Sequence, residues 1–195
     1  MLVHLTKKIR LRISYPIWLE IERKPQLELY LPKKQNNIII PLTPEGYRLR
    51  VYNSEDEEPL RRLLNRAGFS FSPIKIKQAI SICLPNGCFV VEYEQTKQLV
   101  ATMMARHLAS QLHPFGGRID WLATDPEHRK LGLANICARS ATQRLIQAGY
   151  ENIWVTTDDH RIGALKIFLS IGFQPALSDA LSKRWKNIFE KLHIP

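Results

Sequence analysis

Ile9, Leu11 and Ile13 alternate with Arg10, Arg12 and Ser14, the two-residue period of a half-buried strand. Leu27, Leu29 and Leu31 repeat the alternation, and Ile38-Ile39-Ile40 is a short β-branched run of the same character. Pro16, Pro25, Pro32, Pro41 and Pro44 punctuate these pieces. The pattern predicts a β-rich N-terminal extension over residues 1–45, closed by Thr43-Pro44-Glu45-Gly46. It leaves open whether those strands form a subdomain or join the main sheet.

The rhythm changes at Tyr47. Tyr47–Tyr52 alternates as a strand, and the acidic stretch Ser54–Glu58 suits a helix N-terminus. Leu60, Leu63, Leu64 and Ala67 give that helix its buried stripe, and Gly68 ends it. A second helix is expected over Ile74–Ile82, then a turn at Pro85-Asn86-Gly87. Cys88–Tyr93 and Leu99–Arg106 read as an antiparallel pair, and Arg118–Ala123 as a strand with Ile119, Trp121 and Ala123 on one face. A long helix follows over about residues 131–148, with Leu133, Ile136, Cys137, Ser140, Ala141, Leu145 and Ala148 inward. Asn152–Thr157 is a strand. Ala164, Ile167, Phe168 and Ile171 mark a short helix stopped by Gly172, and Leu181, Trp185, Ile188, Phe189 and Leu192 a last amphipathic one. From Tyr47 the order is β-α-α-β-β-β-α-β-α-(β)-α. That is a mixed α/β (α+β) pattern with antiparallel strands in the middle, which argues against a doubly wound parallel sheet.

Length and composition add limits. The 195 residues suit one domain, or one domain with an appendage, and 45% hydrophobic content supports a real core. No apolar run approaches the roughly 20 residues of a spanning helix, so no membrane segment is expected. The N-terminus lacks the unbroken apolar stretch of a signal peptide. Cys83, Cys88 and Cys137 have no metal-ligand spacing and read as reduced thiols of a cytoplasmic protein. The net charge of +10 is spread along the chain, without a block of like charge or basic residues interleaved with aromatics. Solvated faces and a polyanionic cofactor explain it more simply than nucleic acid, which would bring a steep salt dependence.

The segment richest in chemistry is Ile119-Asp-Trp-Leu-Ala-Thr-Asp-Pro-Glu-His-Arg-Lys-Leu-Gly-Leu-Ala134. A strand passes through a polar turn into a helix start holding Gly132 and small Ala134. Free amides and the dipole at a helix start favour an anion, and Gly132 removes the Cβ that would keep a phosphate from the backbone. Arg129 and Lys130 add positive charge. This is a candidate diphosphate cradle, although Gly132 could equally ease packing.

Arg129-x-x-Gly132-x-Ala134 resembles the (Gln/Arg)-x-x-Gly-x-(Gly/Ala) signature of the Gcn5-related N-acetyltransferases (GNAT), in that superfamily's strand–loop–helix context. Ala164-Leu-Lys-Ile-Phe-Leu-Ser-Ile-Gly-Phe173 resembles its Ala-x-x-x-Tyr-x-x-x-Gly-Phe segment, and Trp121-Leu-Ala-Thr-Asp-Pro precedes the first motif. The resemblance spans about Tyr47 to Phe173 and says nothing of residues 1–45. It implies a GNAT fold, a mostly antiparallel sheet flanked by helices, and an acyltransferase domain over 46–195. It implies acetyl-CoA as cosubstrate, a primary amine as acceptor, and direct attack of the amine on the thioester. Cofactor contacts carried over are Leu122, Ala123, Thr124, Arg129, Lys130, Leu131, Gly132, Leu133, Ala134 and Asn135.

Two positions depart from the pattern. The tyrosine that commonly protonates the leaving thiolate is Phe168 here, and the asparagine three residues before the motif's alanine is Arg161. A CoA-binding regulatory protein without chemistry is therefore the alternative reading. Asp120 and Asp158 are the candidate bases, and Asp159, His160 and Phe168 the candidate substrate contacts. No histidine pair has metal-binding spacing with a carboxylate, so no metal is expected. The last helix suits either docking on the sheet or self-association as a homodimer.

Overall fold

The computed structural model describes residues 8–12, 18–22, 25–34 and 37–193. Ile13 and Ser14 of the first expected strand, and Pro16 after it, lie outside the described residues. β1 (Lys8–Arg12) pairs antiparallel with β2 (Trp18–Glu22) as a separate two-stranded sheet. The main sheet contains β3 (Leu27–Leu31), β4 (Tyr47–Val51), β5 (Cys83–Tyr93), β6 (Gln98–His107), β7 (Gly117–Thr124), β8 (Ile153–Thr157) and β9 (Gln174–Pro175). Its spatial order is β4-β5-β6-β7-β8-β3-β9. Among the described residues every pairing is antiparallel except β7 with β8. β3 thus joins the main sheet, bonded to β8 along its whole length.

The helices are α1 (Glu57–Arg66), α2 (Pro73–Ser81), α3 (Leu133–Gln147), α4 (Ile162–Ile171) and α5 (Asp179–Leu192). A 3₁₀ turn at Ser54–Asp56 leads into α1. There the Asn53 side chain accepts from the Glu55 amide at 2.9 Å, while the Asn53 amide donates to Asp56 Oδ2 at 2.8 Å, a reciprocal cap. From Tyr47 the element order is the one the periodicity predicts. One core layer lies where α3, α4 and α5 cover the sheet, with Leu29, Val100, Ile119, Cys137, Phe168 and Trp185 among its members. The other lies under α1 and α2, with Leu60, Leu63, Phe71, Ile76, Val90 and Met104. Trp185 and Ile188 dock α5 into the first layer. Among the described residues no helix is long and apolar enough to cross a membrane.

Several expectations change. Pro85-Asn86-Gly87 is a bulge inside a continuous β5, not a turn before a new strand. The register passes from Cys83↔Arg106 to Cys88↔Met104, so the extra residues loop out between two paired stretches. Asn86 takes a left-handed φ of 57°. A Cβ on Gly87 would lie 2.7 Å from the Ala105 carbonyl oxygen, an approach only glycine permits. Ile119 and Ala123 do not share a face. Trp121 adopts a φ of 56°, the register slips between Thr102↔Ala123 and Met104↔Asp120, and the inserted residue reverses the alternation. Ile119 consequently packs under α3 and Ala123 under α1. Ile39 and Ile40 are exposed and outside any ladder, while Ile38 is buried and donates its amide to Gln143 Oε1 at 2.8 Å. In α3 the burial extends to Ala138 and Thr142, Ala148 is exposed, and the helix begins at Leu133 behind Gly132.

Candidate active site

β7 and β8 are hydrogen-bonded neighbours only at Gly117↔Ile153 and Arg118↔Trp154. Gly117 permits that tight junction, since a Cβ there would meet Leu145 Cδ2 at 2.7 Å and the Tyr150 ring at 2.8 Å. Beyond it the bulge at Trp121 carries β7 away from β8, and two cavities open between the strands and α4. The larger is about 760 Å³ and the smaller about 170 Å³. Leu122, Arg161 and Ala164 line both.

The larger cavity is walled by Leu122, Ala123 and Thr124 of β7 and by Arg129, Lys130, Gly132, Leu133, Ala134 and Asn135. Leu131 is absent from this wall and its side chain is exposed. His160 lines the opposite side with Ile162 and Gly163. Among the described residues, the amides from Arg129 to Asn135 donate to no backbone acceptor; the first such bond of α3 runs from Ile136 to the Gly132 carbonyl at 3.1 Å. Lys130 and Gly132 have φ of 65° and 77°. These left-handed turns keep the amides from closing on themselves, as in an anion-binding nest. A Cβ on Gly132 would meet no protein atom within 4 Å, so it would project into open space. Uncommitted amides, two cationic side chains and that open approach fit a diphosphate.

Asp125 holds the turn in place. It has no solvent exposure. It accepts from Arg66 Nε at 2.7 Å, Arg66 Nη2 at 3.1 Å, Gln98 Nε2 at 3.2 Å and the Glu127 amide at 3.0 Å. Burial pushes its carboxyl up, but the Arg66 and Glu127 hydrogen bonds and the charges of Arg66 and His128 bring it below its ordinary value.

The smaller cavity brings together Asp120, Asp158 and Phe168. Asp159 lies elsewhere, ion-paired with Arg184 of α5. Asp120 is buried between two guanidinium groups, bonded to Arg106 and with Arg118 Nε 2.8 Å from its Oδ1. Burial raises its carboxyl above the ordinary value against the pull of Arg118 and Arg106. From there a polar chain crosses the wall. Arg118 Nη2 donates to Thr156 Oγ1 at 2.7 Å, which donates to Gln26 Oε1 at 2.9 Å. Gln26 Nε2 then donates to Asp158 Oδ1 at 3.1 Å, and Arg161 Nε to Asp158 Oδ2 at 3.2 Å. The Arg161 guanidinium lies 4.6 Å over the Phe69 ring. Phe168 is buried, its ring 5.9 Å from that of Phe173. The wall can exchange a proton at a carboxylate, and it carries a fixed cation where the cavities meet.

Sequence reasoning did not single out Asp125, Arg118, Gln26 or Phe69. Asp125 carried a local sign, an aspartate before Pro126 at the start of a turn. Gln26 and Phe69 carried none, because they arrive from distant segments.

The sequence profile of the acetyltransferase (GNAT) family matches residues 49–173. No curated protein sequence matches the chain. The chain is similar in structure to a GCN5-related N-acetyltransferase from Kribbella flavida, with TM-score 0.55 and 20% identity over 77% of this chain and 54% of that one. It is also similar to one from Sphaerobacter thermophilus, with TM-score 0.63 and 16% identity over 78% of this chain and 49% of the other. The ribosomal-protein-S18-alanine N-acetyltransferase of Escherichia coli aligns with TM-score 0.53 and 18% identity, over 67% of this chain and 79% of its own. The chain spans about half the length of the first two. At these identities the likeness is one of fold.

Proposed function

Since the chain belongs to the acetyltransferase (GNAT) family, we propose that it is an acyl-CoA-dependent N-acyltransferase moving an acetyl group from acetyl-CoA to a primary amine. The observation that carries this is the opening between β7 and β8. It joins a cavity whose wall suits a diphosphate to a smaller one bearing the buried Asp120 and the half-buried Asp158. The proposed catalytic unit is residues 46–195, with β3 of the preceding extension completing its sheet. Cytoplasmic residence, with Cys83, Cys88 and Cys137 as free thiols, is part of the reading.

Bound acetyl-CoA supplies an acyl group activated for attack by an amine. The amides and cations of Arg129–Asn135 bind the diphosphate, and the unpaired edge of β7 at Leu122–Thr124 orients the chain that follows it. Asp120 or Asp158 accepts the proton the amine loses as the carbon–nitrogen bond forms and the carbon–sulfur bond breaks. Phe168 has no proton for the sulfur. Arg161, at the junction of the cavities, and the uncommitted Ile162 and Gly163 amides opening α4 instead offset the charge of a departing thiolate.

Phe168 also favours a second reading, a CoA-binding regulatory protein without turnover. Thermal shift with acetyl-CoA, beside Gly132→Trp, tests the cofactor site, because a ligand selective for the folded state raises stability. The expected result is stabilisation in the wild type and none in the variant. Thiol release on adding amines then separates the enzyme from the silent binder. A folded protein with no shift at millimolar acetyl-CoA would overturn both.

A further inference from the structure

Counting Arg106, which pairs with Asp120 from behind the lining, the wall of the smaller cavity holds three guanidinium groups against two carboxylates. Arg106 and Arg118 share the single carboxylate of Asp120, while Arg161 and Asp158 match one another. Glu28, the next acid along β3, is bonded to His113 Nε2 at 2.8 Å. Of the two guanidinium groups on Asp120, Arg118 is the one that lines the cavity. Its side chain is 18% exposed and lies 4.7 Å over the Trp154 ring. Among the described residues its buried Nε makes no aligned hydrogen bond despite the nearness of Asp120, and the bond from its Nη atoms goes to Thr156. A half-satisfied guanidinium with surplus charge in a low-dielectric wall is costly unless something anionic completes it. The planar fork suits a carboxylate or phosphate.

Resting on the acyltransferase reading above, we infer that the acceptor is a small amine bearing an anionic group, held by Arg118. The cavity of about 170 Å³ is smaller than the roughly 300–1,000 Å³ of drug-sized ligand sites, which suits a molecule of amino-acid size. The anionic group sits on Arg118 deep in the cavity, and the amine stays on the side of Leu122 and Ala164, where the two cavities join.

The test is a thiol-release assay on the full chain with matched acceptors. The twenty amino acids are run beside their decarboxylated amines, and O-phosphoethanolamine beside ethanolamine. The expected result is kcat/KM about 10–100-fold higher for the anionic member of at least one pair, the scale of a charge-assisted hydrogen bond. Whether a carboxylate or the phosphate wins identifies the source of the anion. In Arg118→Gln, with Arg118→Lys as a milder variant, the preference ratio should collapse toward unity through KM of the anionic member. Wild-type turnover of neutral amines as good as their anionic partners would overturn the inference and leave the acyltransferase reading intact. An Arg118→Gln variant that keeps the preference would do the same. Absence of acetyl-CoA binding, or of turnover with every amine, would remove the acyltransferase reading and this inference with it.

Discussion

Replacing Asp125 by alanine probes how the proposed diphosphate turn is held. The change deletes four hydrogen bonds to a carboxylate with no solvent exposure. Hydrogen bonds to charged groups are worth about 1.5–3 kcal/mol each. Two effects cut that gross figure. Removing a buried carboxylate also removes its desolvation cost, and Arg66, about half exposed, recovers water. The net loss is then about 2–3 kcal/mol. For a chain of this size that corresponds to a fall in Tm of about 4–12 °C. Thermal unfolding by circular dichroism, with and without acetyl-CoA, measures both stability and the ligand-induced shift, and both should fall. The linkage has a definite sign. The folded carboxyl binds its proton less tightly than the unfolded one. Its contribution is therefore present above the ordinary carboxylate range and lost as pH falls through the lowered folded value. Asp125→Asn should flatten that acid limb of stability, and the Asp125 and Arg66 variants should combine to less than their sum. A Tm equal to wild type, or an undiminished acetyl-CoA shift, would refute the anchoring argument.

Gly132→Ala should cost about 1–2 kcal/mol from its left-handed backbone alone, since its Cβ meets no protein atom; urea unfolding with unchanged stability would contradict this. Asp120, raised by burial, binds a proton more readily when folded. Its ionisation should weaken the fold as pH rises from the ordinary carboxylate value to the raised one, and Asp120→Asn should remove that slope. If Asp120 is the base, the acid limb of kcat/KM lies above the ordinary aspartate value of about 3.9 and disappears in Asp120→Asn; an intact limb transfers the role to Asp158. Arg161→Gln should lower kcat about 10–100-fold through lost charge stabilisation, with partial recovery in Arg161→Lys. Unchanged steady-state kcat would remove Arg161 from the chemistry.

Local pattern carried the element order where a strand or helix keeps a single buried face. The periodicity therefore survives in the one-dimensional chain, as in Leu27-Leu29-Leu31 and Leu60-Leu63-Leu64. The turn proposed to hold the diphosphate was legible for a similar reason. Its chemistry resides in consecutive residues, Arg129 to Ala134, whose backbone does the work. The bulge at Trp121 was not legible, and at Pro85-Asn86-Gly87 the chain signalled a turn but not that one strand continues through it. A left-handed tryptophan inside a strand has no compositional sign, and its place is set by the pairing of β7 with β6.

The sequence by itself determined the order of elements, the stretch proposed as an anion cradle and a side chain with no proton to give at Phe168. Only the tertiary structure decided which charges meet. Asp120 is enclosed by Arg106 from β6 and Arg118 from β7, Asp158 is bonded to Gln26 from beside β3, and Asp159 is drawn away to Arg184 of α5. These partners are set by sheet order, a strand bulge and helix docking. Such long-range pairings depend on every intervening contact and leave no periodic trace in the chain.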